Sequence, residues 1–144
     1  MTQFRKVDDS ISVAPQIAPE DVAAIKAAGF VAIVNNRPDD EQAGQPAGDS
    51  IRAAALAVGL TYAAIPVGGA GVSHHQVQAM VDVLEGADGP VLAFCRSGTR
   101  SCNLWALARA RMGDSPDDLI ALGAGAGYDL DGLRPVLDQL AAQA

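Results

Sequence analysis

The sequence is poor in cysteine, in aromatic residues and in long apolar runs. Its 144 residues include two cysteines, Cys95 and Cys102, and aromatic side chains make up 4% of the chain. Two cysteines do not supply a disulfide framework, and free thiols are typical of a reducing cytosol. The first residues contain no apolar stretch of the kind found in secretory signals, and no apolar run is long enough to span a bilayer. These absences predict a cytoplasmic protein.

Basic residues are also scarce. The chain has 10 lysines and arginines against 17 aspartates and glutamates, which gives a formal net charge of −7 at pH 7. Nucleic acids and acidic membrane surfaces repel such a chain, so we expect neither as a partner. A small anionic substrate would need a local positive pocket, which Arg96, Arg100 and Arg37 could supply. The two cysteines and two histidines form no cluster with metal-ligand spacing, so no metal or other cofactor is expected.

The length fits a single domain over residues 1–144. Strand-like and helix-like segments alternate along it. Predicted strands occupy residues 10–13, 30–34, 60–67 and 90–94. Predicted helices occupy residues 19–28, 49–59, 73–86 and the stretch from the cysteine loop to about 113, followed by a short helix from 115 and an amphipathic helix within 130–142. Alternating elements predict a three-layer α/β/α fold with a mainly parallel central sheet.

Particular residues mark the ends of these elements. Ser73 and Gln76 have the spacing of a capping box, and Asp49 is a candidate helix cap. The glycine–alanine repeat at residues 123–127 follows no strand and is interpreted as a loop. Loops 35–40, 68–74 and 95–100 should lie at the carboxyl ends of the strands. Ligands bind at that edge in open α/β sheets, so we expect these three loops to converge on a site.

The segment after the last predicted strand contains the main candidate site. Cys95 ends an apolar run and is followed by a glycine-containing loop and a helix-like segment. Backbone N–H groups at such a helix start bind anions and favour a thiolate. We expect Cys95 to be the nucleophile, with Arg100 holding an oxyanion and the Ser101 hydroxyl donating to the sulfur. The expected substrate contacts lie in the loop itself: Arg96, Ser97, Gly98 and Thr99.

The sequence Cys-Arg-Ser-Gly-Thr-Arg-Ser at residues 95–101 resembles the active-site loops of two groups of enzymes. Single-domain rhodaneses have four residues between the cysteine and a basic or small residue, whereas tyrosine and dual-specificity phosphatases have five between the cysteine and an arginine. Further segments resemble the phosphatase-like domain of the beta-lactamase hydrolase-like family: Ser12–Ile17, Ala28–Phe30, Asn35–Asp39, Tyr62–Val67 and Leu104–Ala106. The resemblance covers roughly residues 9–128. It implies a cysteine-phosphatase-like fold, in a family whose members are described both as phosphatases and as sulfur transferases.

Two observations bear on which chemistry the loop supports. Four residues separate Cys95 from Arg100, so the cradle is one residue shorter than a phosphatase loop. Residues 66–75 contain no Asp or Glu that could protonate an ester leaving group. Asp39 and Asp40 could do so only if the fold brings them within reach. Both observations favour sulfane-sulfur transfer through a Cys95 persulfide, with thiosulfate or a persulfide as donor and a thiol as a candidate acceptor.

Alternatives remain open at this point. The first is a phosphatase that cleaves a phosphate ester through a phospho-enzyme intermediate on Cys95, and the second is a non-catalytic oxyanion or redox sensor. Arg37 follows a predicted strand and either contacts the anion or pairs with Asp39 or Asp40. The histidines at 74 and 75 are interpreted as a solvated helix start, with the alternative that one of them acts as an acid or a base. Cys102 is interpreted as a small buried side chain or as a resolving thiol for Cys95.

Overall fold

The computed structural model describes residues 4–144 and contains one five-stranded sheet. The strands are β1 (Arg5–Asp8), β2 (Ile11–Ala14), β3 (Ala32–Asn35), β4 (Thr61–Ala64) and β5 (Val91–Phe94). Their spatial order is β1-β2-β5-β3-β4. β1 pairs antiparallel with β2, and every other neighbouring pair is parallel. The mainly parallel sheet predicted from the alternating pattern is therefore confirmed.

Six helices cover the sheet. They are α1 (Val22–Ala27), α2 (Gly48–Ala57), α3 (His74–Gly86), α4 (Thr99–Arg111), α5 (Pro116–Gly125) and α6 (Arg134–Ala142), and single 3₁₀ turns at Pro19–Asp21 and Asp131–Leu133 precede α1 and α6. Within the described chain, no helix is long and apolar enough to cross a bilayer.

The strand residues alternate between two cores, one on each face of the sheet. On β5, Val91 and Ala93 pack with the helices α3 to α6, whereas Leu92 and Phe94 pack with α1 and α2. This alternation follows from the two-residue repeat of a strand. Both faces of β5 are buried, so its apolar run reads as continuous in the sequence. The result is the three-layer α/β/α architecture, with β5 at the centre of the sheet.

The structure corrects several predicted boundaries. β1 was not predicted, and the strand predicted over residues 60–67 ends at Ala64. Beyond Ala64, the amides of Ile65 and Val67 still donate to the carbonyls of the last residue of β3 and the residue after it, but Pro66 between them has no N–H to continue the ladder. The capping box of Ser73 and Gln76 is confirmed at the start of α3.

The glycine–alanine repeat was wrongly predicted to be a loop, since α5 continues to Gly125. A Cβ on Gly123 would lie 2.5 Å from the side chain of Leu130, so glycine is needed there for close packing. The predicted cap Asp49 lies inside the first turn of α2 rather than at its cap. The carboxylate that accepts from the first amide of α2, at Gly48, is Asp39, at 2.9 Å.

Candidate active site

Cys95 lies immediately after β5, in the centre of the carboxyl edge of the sheet. Cys95 is fully buried, and its Sγ accepts a hydrogen bond from the Gly98 amide at 3.0 Å. The Cys95 amide donates at 3.3 Å to the carbonyl of Ala14, the last residue of β2. The loop therefore curls back over its own sulfur, as the sequence predicted for a thiol at a strand-to-helix turn.

Gly98 allows this curl because its backbone is left-handed, with φ of +92°. The residue also lies against Tyr128, whose hydroxyl donates to the Ser97 carbonyl at 3.1 Å. Burial raises the pKa of Tyr128, so the phenol stays protonated and available as a donor. Tyr128 thus supports the loop from beneath. The sequence analysis did not identify this role, and no sequence signal marks it, because 31 residues separate the two partners.

The cysteine loop leads directly into α4, a helix of 13 residues. The first-turn amides of a helix have no partner inside it, and together they favour a bound anion. The Ser97 hydroxyl oxygen accepts from the Thr99 amide at 3.4 Å, which leaves the amides of Arg100 and Ser101 free of intrahelical partners. Arg96, one of the expected substrate contacts, is exposed to solvent.

Arg100 is held by two groups from other loops. Its Nη1 donates to Glu41 Oε2 at 2.7 Å and to the Val67 carbonyl at 2.7 Å, and its Nη2 donates to Glu41 Oε1 at 2.9 Å. The hydrogen bonds to Glu41, and secondarily the nearby Cys95 sulfur, raise the pKa of Arg100. The guanidinium is therefore permanently charged and close to the sulfur.

Glu41 is a second site residue that the sequence analysis missed. Its pKa is lowered to about 2, first by the hydrogen bonds from Arg100 and then by Arg37. Arg37 Nε donates to Glu41 Oε1 at 2.9 Å. Arg37 was expected to pair with Asp39 or Asp40 if it braced the loop. It braces the loop through Glu41 instead, because Asp39 is engaged by the first amide of α2.

The Ser101 hydroxyl donates to Asn36 Oδ1 at 2.8 Å, and Asn36 Nδ2 donates to the Ile65 carbonyl at 2.9 Å. Both side chains are buried. The sequence led us to expect that the Ser101 hydroxyl donates to the Cys95 sulfur. In this structure it donates to Asn36 instead. The connection fixes the loop after β3 against the start of α4.

The remaining candidates take different places. Cys102 is fully buried among apolar residues, and burial raises its pKa to about 12, with a further contribution from Cys95. Both histidines at the start of α3 are exposed, and His74 lines a groove between α3, α4 and α6. The three loops expected to converge are joined by contacts at their edges. Asn36 of loop 35–40 contacts Ser101, just after loop 95–100, and Arg100 of that loop contacts the carbonyl of Val67, just before loop 68–74. Among the residues from 4 onward, no cluster of side chains suited to a metal ion occurs.

Comparisons with solved structures agree with this fold. A Neisseria meningitidis protein provisionally named a phosphatase superposes with a TM-score of 0.79 at 33% identity, over 94% of this chain and 96% of the other. Tk-PTP in its active form superposes with a TM-score of 0.71 at 18% identity, over 98% and 97%. TpbA of P. aeruginosa, in complex with pTyr, gives 0.63 at 19%, over 99% and 94%. The chain has the fold of cysteine phosphatases.

Comparisons of sequence identify the family. The beta-lactamase hydrolase-like protein of Agrobacterium fabrum is 34% identical over 87% of this chain, and that of Xylella fastidiosa strain 9a5c is 32% identical over 95%. The chain spans only 29% and 32% of the lengths of these relatives. The family described as beta-lactamase hydrolase-like protein, phosphatase-like domain, matches residues 3–112. This chain therefore belongs to the phosphatase-like domain family of the beta-lactamase hydrolase-like proteins.

Proposed function

We propose that this chain is a cysteine-dependent hydrolase of phosphate monoesters in which Cys95 is the nucleophile. The observation that carries the proposal is the position of the Cys95 sulfur, beneath the N-terminus of α4 and beside Arg100, on a fold shared with cysteine phosphatases. A doubly charged phosphoryl group fits the first-turn amides and the guanidinium. The phosphatase assignment of the 33% identical Neisseria protein and the pTyr bound to TpbA support the same substrate class.

The proposed reaction has two displacements. The Cys95 thiolate forms an S–P bond while the ester P–O bond breaks, and the ester oxygen leaves with the electron pair. A water oxygen then forms a new P–O bond and the S–P bond breaks, with its electron pair returning to sulfur. Inorganic phosphate leaves, the Cys95 thiolate is restored, and the proton lost by the water passes to solvent. Arg100 and the amides at the start of α4 stabilise the charge that develops on the non-bridging oxygens. Arg96, exposed within the loop, draws the anion toward the site.

The carboxylates near the site favour substrates with good leaving groups. Asp39 accepts from an amide of α2, and Glu41 is held ionised between two guanidinium groups. Asp40 is exposed. Asp39 and Glu41 are therefore not free to protonate a leaving oxygen, and in the proposed reaction the leaving group takes its proton from solvent. We therefore propose aryl phosphates as better substrates than alkyl phosphates, with a rate that depends steeply on the pKa of the leaving phenol.

Sulfane-sulfur transfer is a second candidate, favoured by the loop of only four residues between Cys95 and Arg100. In this reaction the thiolate attacks the outer sulfur of thiosulfate, the S–S bond of thiosulfate breaks, and sulfite leaves with the electron pair. A thiol or cyanide then takes the outer sulfur from the Cys95 persulfide. No proton donor is needed for sulfite, which is consistent with the engaged carboxylates.

One experiment separates the two candidates. Wild type, Cys95→Ser and the matched control Cys102→Ala are assayed with p-nitrophenyl phosphate and, separately, analysed by mass spectrometry after incubation with thiosulfate. Ester hydrolysis that is sensitive to vanadate, lost in Cys95→Ser and kept in Cys102→Ala supports the phosphatase. A mass gain of one sulfur on Cys95 without ester hydrolysis would replace it with the sulfurtransferase. Oxyanion binding with neither result would leave the sensor function.

A further inference from the structure

We propose that Glu41 is a positioning residue that fixes the guanidinium of Arg100 so that the edge bearing Nε faces the anion bound at Cys95. This role rests on the proposed function, because it requires an oxyanion substrate at Cys95. It holds whether the atom attacked is phosphorus or sulfur. The arrangement joins the loop after β3 to the first turn of α4 across 59 residues of sequence. It is carried by the hydrogen-bond geometry around Arg100 and by the burial of the group that anchors Glu41.

A count of the donors on Arg100 shows which edge is available. A guanidinium has five N–H groups in one plane. Both hydrogens of Nη1 are engaged, one by Glu41 and one by the Val67 carbonyl, and one hydrogen of Nη2 is engaged by Glu41. Arg100 also has a side-chain hydrogen bond with Cys95, and the contacts to Glu41 and Val67 leave two N–H groups for that sulfur or for a ligand: Nε–H and the second Nη2–H. They lie on the same edge and form the parallel pair that binds two oxygens of a phosphate or sulfonate group.

Glu41 can act as a fixed point because it is itself anchored. Its Oε1 accepts from Nε of Arg37, whose side chain is 3% exposed and also donates to Gln16 and Gln42. A buried arginine held by three acceptors has little rotational freedom, so the carboxylate between the two guanidinium groups is held in place. Arg37 thus acts on Arg100 only through Glu41.

A change of charge at residue 41 distinguishes a positioning role from one in which the Glu41 carboxylate only opposes anion binding. One carboxylate lies between two guanidinium groups, so the three groups retain a net charge of +1 and still attract an anion. Replacement of Glu41 by glutamine raises that charge to +2, which by charge alone would tighten anion binding. If Glu41 instead positions Arg100, the same replacement frees the guanidinium and slows the reaction. The two roles therefore predict changes in opposite directions.

The test compares Glu41→Gln with Asp40→Asn, which makes the same change of charge one residue away. Asp40 is exposed and has φ of +63°, a conformation that asparagine tolerates well. With p-nitrophenyl phosphate as substrate, we expect Glu41→Gln to lower kcat about tenfold to a hundredfold, the range expected for a misplaced catalytic group. Asp40→Asn should keep wild-type kcat. A kcat for Glu41→Gln that equals or exceeds the wild-type value would overturn the inference.

A double-mutant cycle shows whether Glu41 acts through Arg100. We expect Glu41→Gln to cause no further loss of kcat in an Arg100→Ala background, because the group it positions is gone. Equal losses in both backgrounds would assign Glu41 a role independent of Arg100 and would refute positioning.

A measurement independent of activity keeps the inference separate from the proposed function. In ¹⁵N NMR spectra of the unliganded protein, a fixed Arg100 should show separate signals for its Nη hydrogens, and these should merge in Glu41→Gln but not in Asp40→Asn. If the wild type already shows merged signals, Glu41 does not fix Arg100, even if the chain proves to be a phosphatase. Separate signals in a chain without turnover would leave the positioning role intact and remove the phosphatase.

Discussion

Gly98 offers the sharpest test of how the cysteine loop is built. Its φ of +92° is a left-handed conformation, which costs a residue with a side chain about 1–2 kcal/mol. A Cβ at this position would also lie 2.2 Å from the Tyr128 hydroxyl oxygen and 3.1 Å from the ring carbon that bears it. The hydroxyl cannot retreat freely, because it donates to the Ser97 carbonyl. Overpacking of this kind costs about 1–3 kcal/mol.

Together the two effects predict that Gly98→Ala lowers the free energy of unfolding by about 2–5 kcal/mol. For a chain of 144 residues, about 1 kcal/mol corresponds to roughly 3 °C in Tm. The expected fall in Tm is therefore about 6–15 °C, measured by differential scanning calorimetry. Activity should fall as well, since the Gly98 amide donates to the Cys95 sulfur.

Tyr128→Phe provides the matched control, because it removes the oxygen that the new Cβ would meet. Alone, it should cost about 1 kcal/mol for the lost hydrogen bond to Ser97. Combined with Gly98→Ala, it should relieve the steric part of the loss, so that the double variant is more stable than the sum of the single losses predicts. A Gly98→Ala protein that melts within about 2 °C of wild type, or strict additivity in the double variant, would refute the reasoning.

Three further outcomes are expected. The pKa of Glu41 in the folded protein is about 2, against an ordinary value of 4.5. Its ion pairs should therefore stabilise the fold above pH 4.5 and lose that contribution as the pH falls toward 2. The free energies of unfolding of wild type and Glu41→Gln, measured by denaturation, should converge over this range, and a constant difference between them would contradict the prediction. Ser101→Ala should lower the free energy of unfolding by about 1–3 kcal/mol, because buried Asn36 loses its donor; a urea titration with an unchanged midpoint would argue against this buried contact. Burial raises the pKa of Cys102 to about 12, so in the folded Cys95→Ser variant this thiol should resist iodoacetamide at pH 8 and should react once urea unfolds the chain. Rapid labelling of the folded variant would show that the thiol is not buried.

Local sequence patterns were sufficient for the architecture and for the position of the candidate nucleophile. Each buried parallel strand appears as a short apolar run, and the capping box at Ser73 marks the start of α3 because its hydrogen bonds join residues three apart. The order of strand, cysteine, glycine and helix that places Cys95 at the start of α4 is also local. These features depend on contacts between near neighbours, and the sequence states such contacts directly.

Contacts across long separations could not be predicted in this way. The loop after β3 contains three consecutive acidic residues, Asp39, Asp40 and Glu41, and their composition does not show which one reaches the cysteine loop. The folded path assigns them: Asp39 accepts from the amide at the start of α2, Asp40 takes the left-handed turn into solvent, and Glu41 meets Arg100.

The sequence by itself therefore determined the fold class, the family resemblance and the thiol at the helix start. Only the tertiary structure decided what surrounds that thiol: the carboxylate shared by two arginines, the tyrosine beneath Gly98, and the Ser101 hydroxyl turned toward Asn36. The physical reason is that parallel strands bring their carboxyl ends to one edge, and the loops leaving that edge meet across sequence separations of 59 and 65 residues.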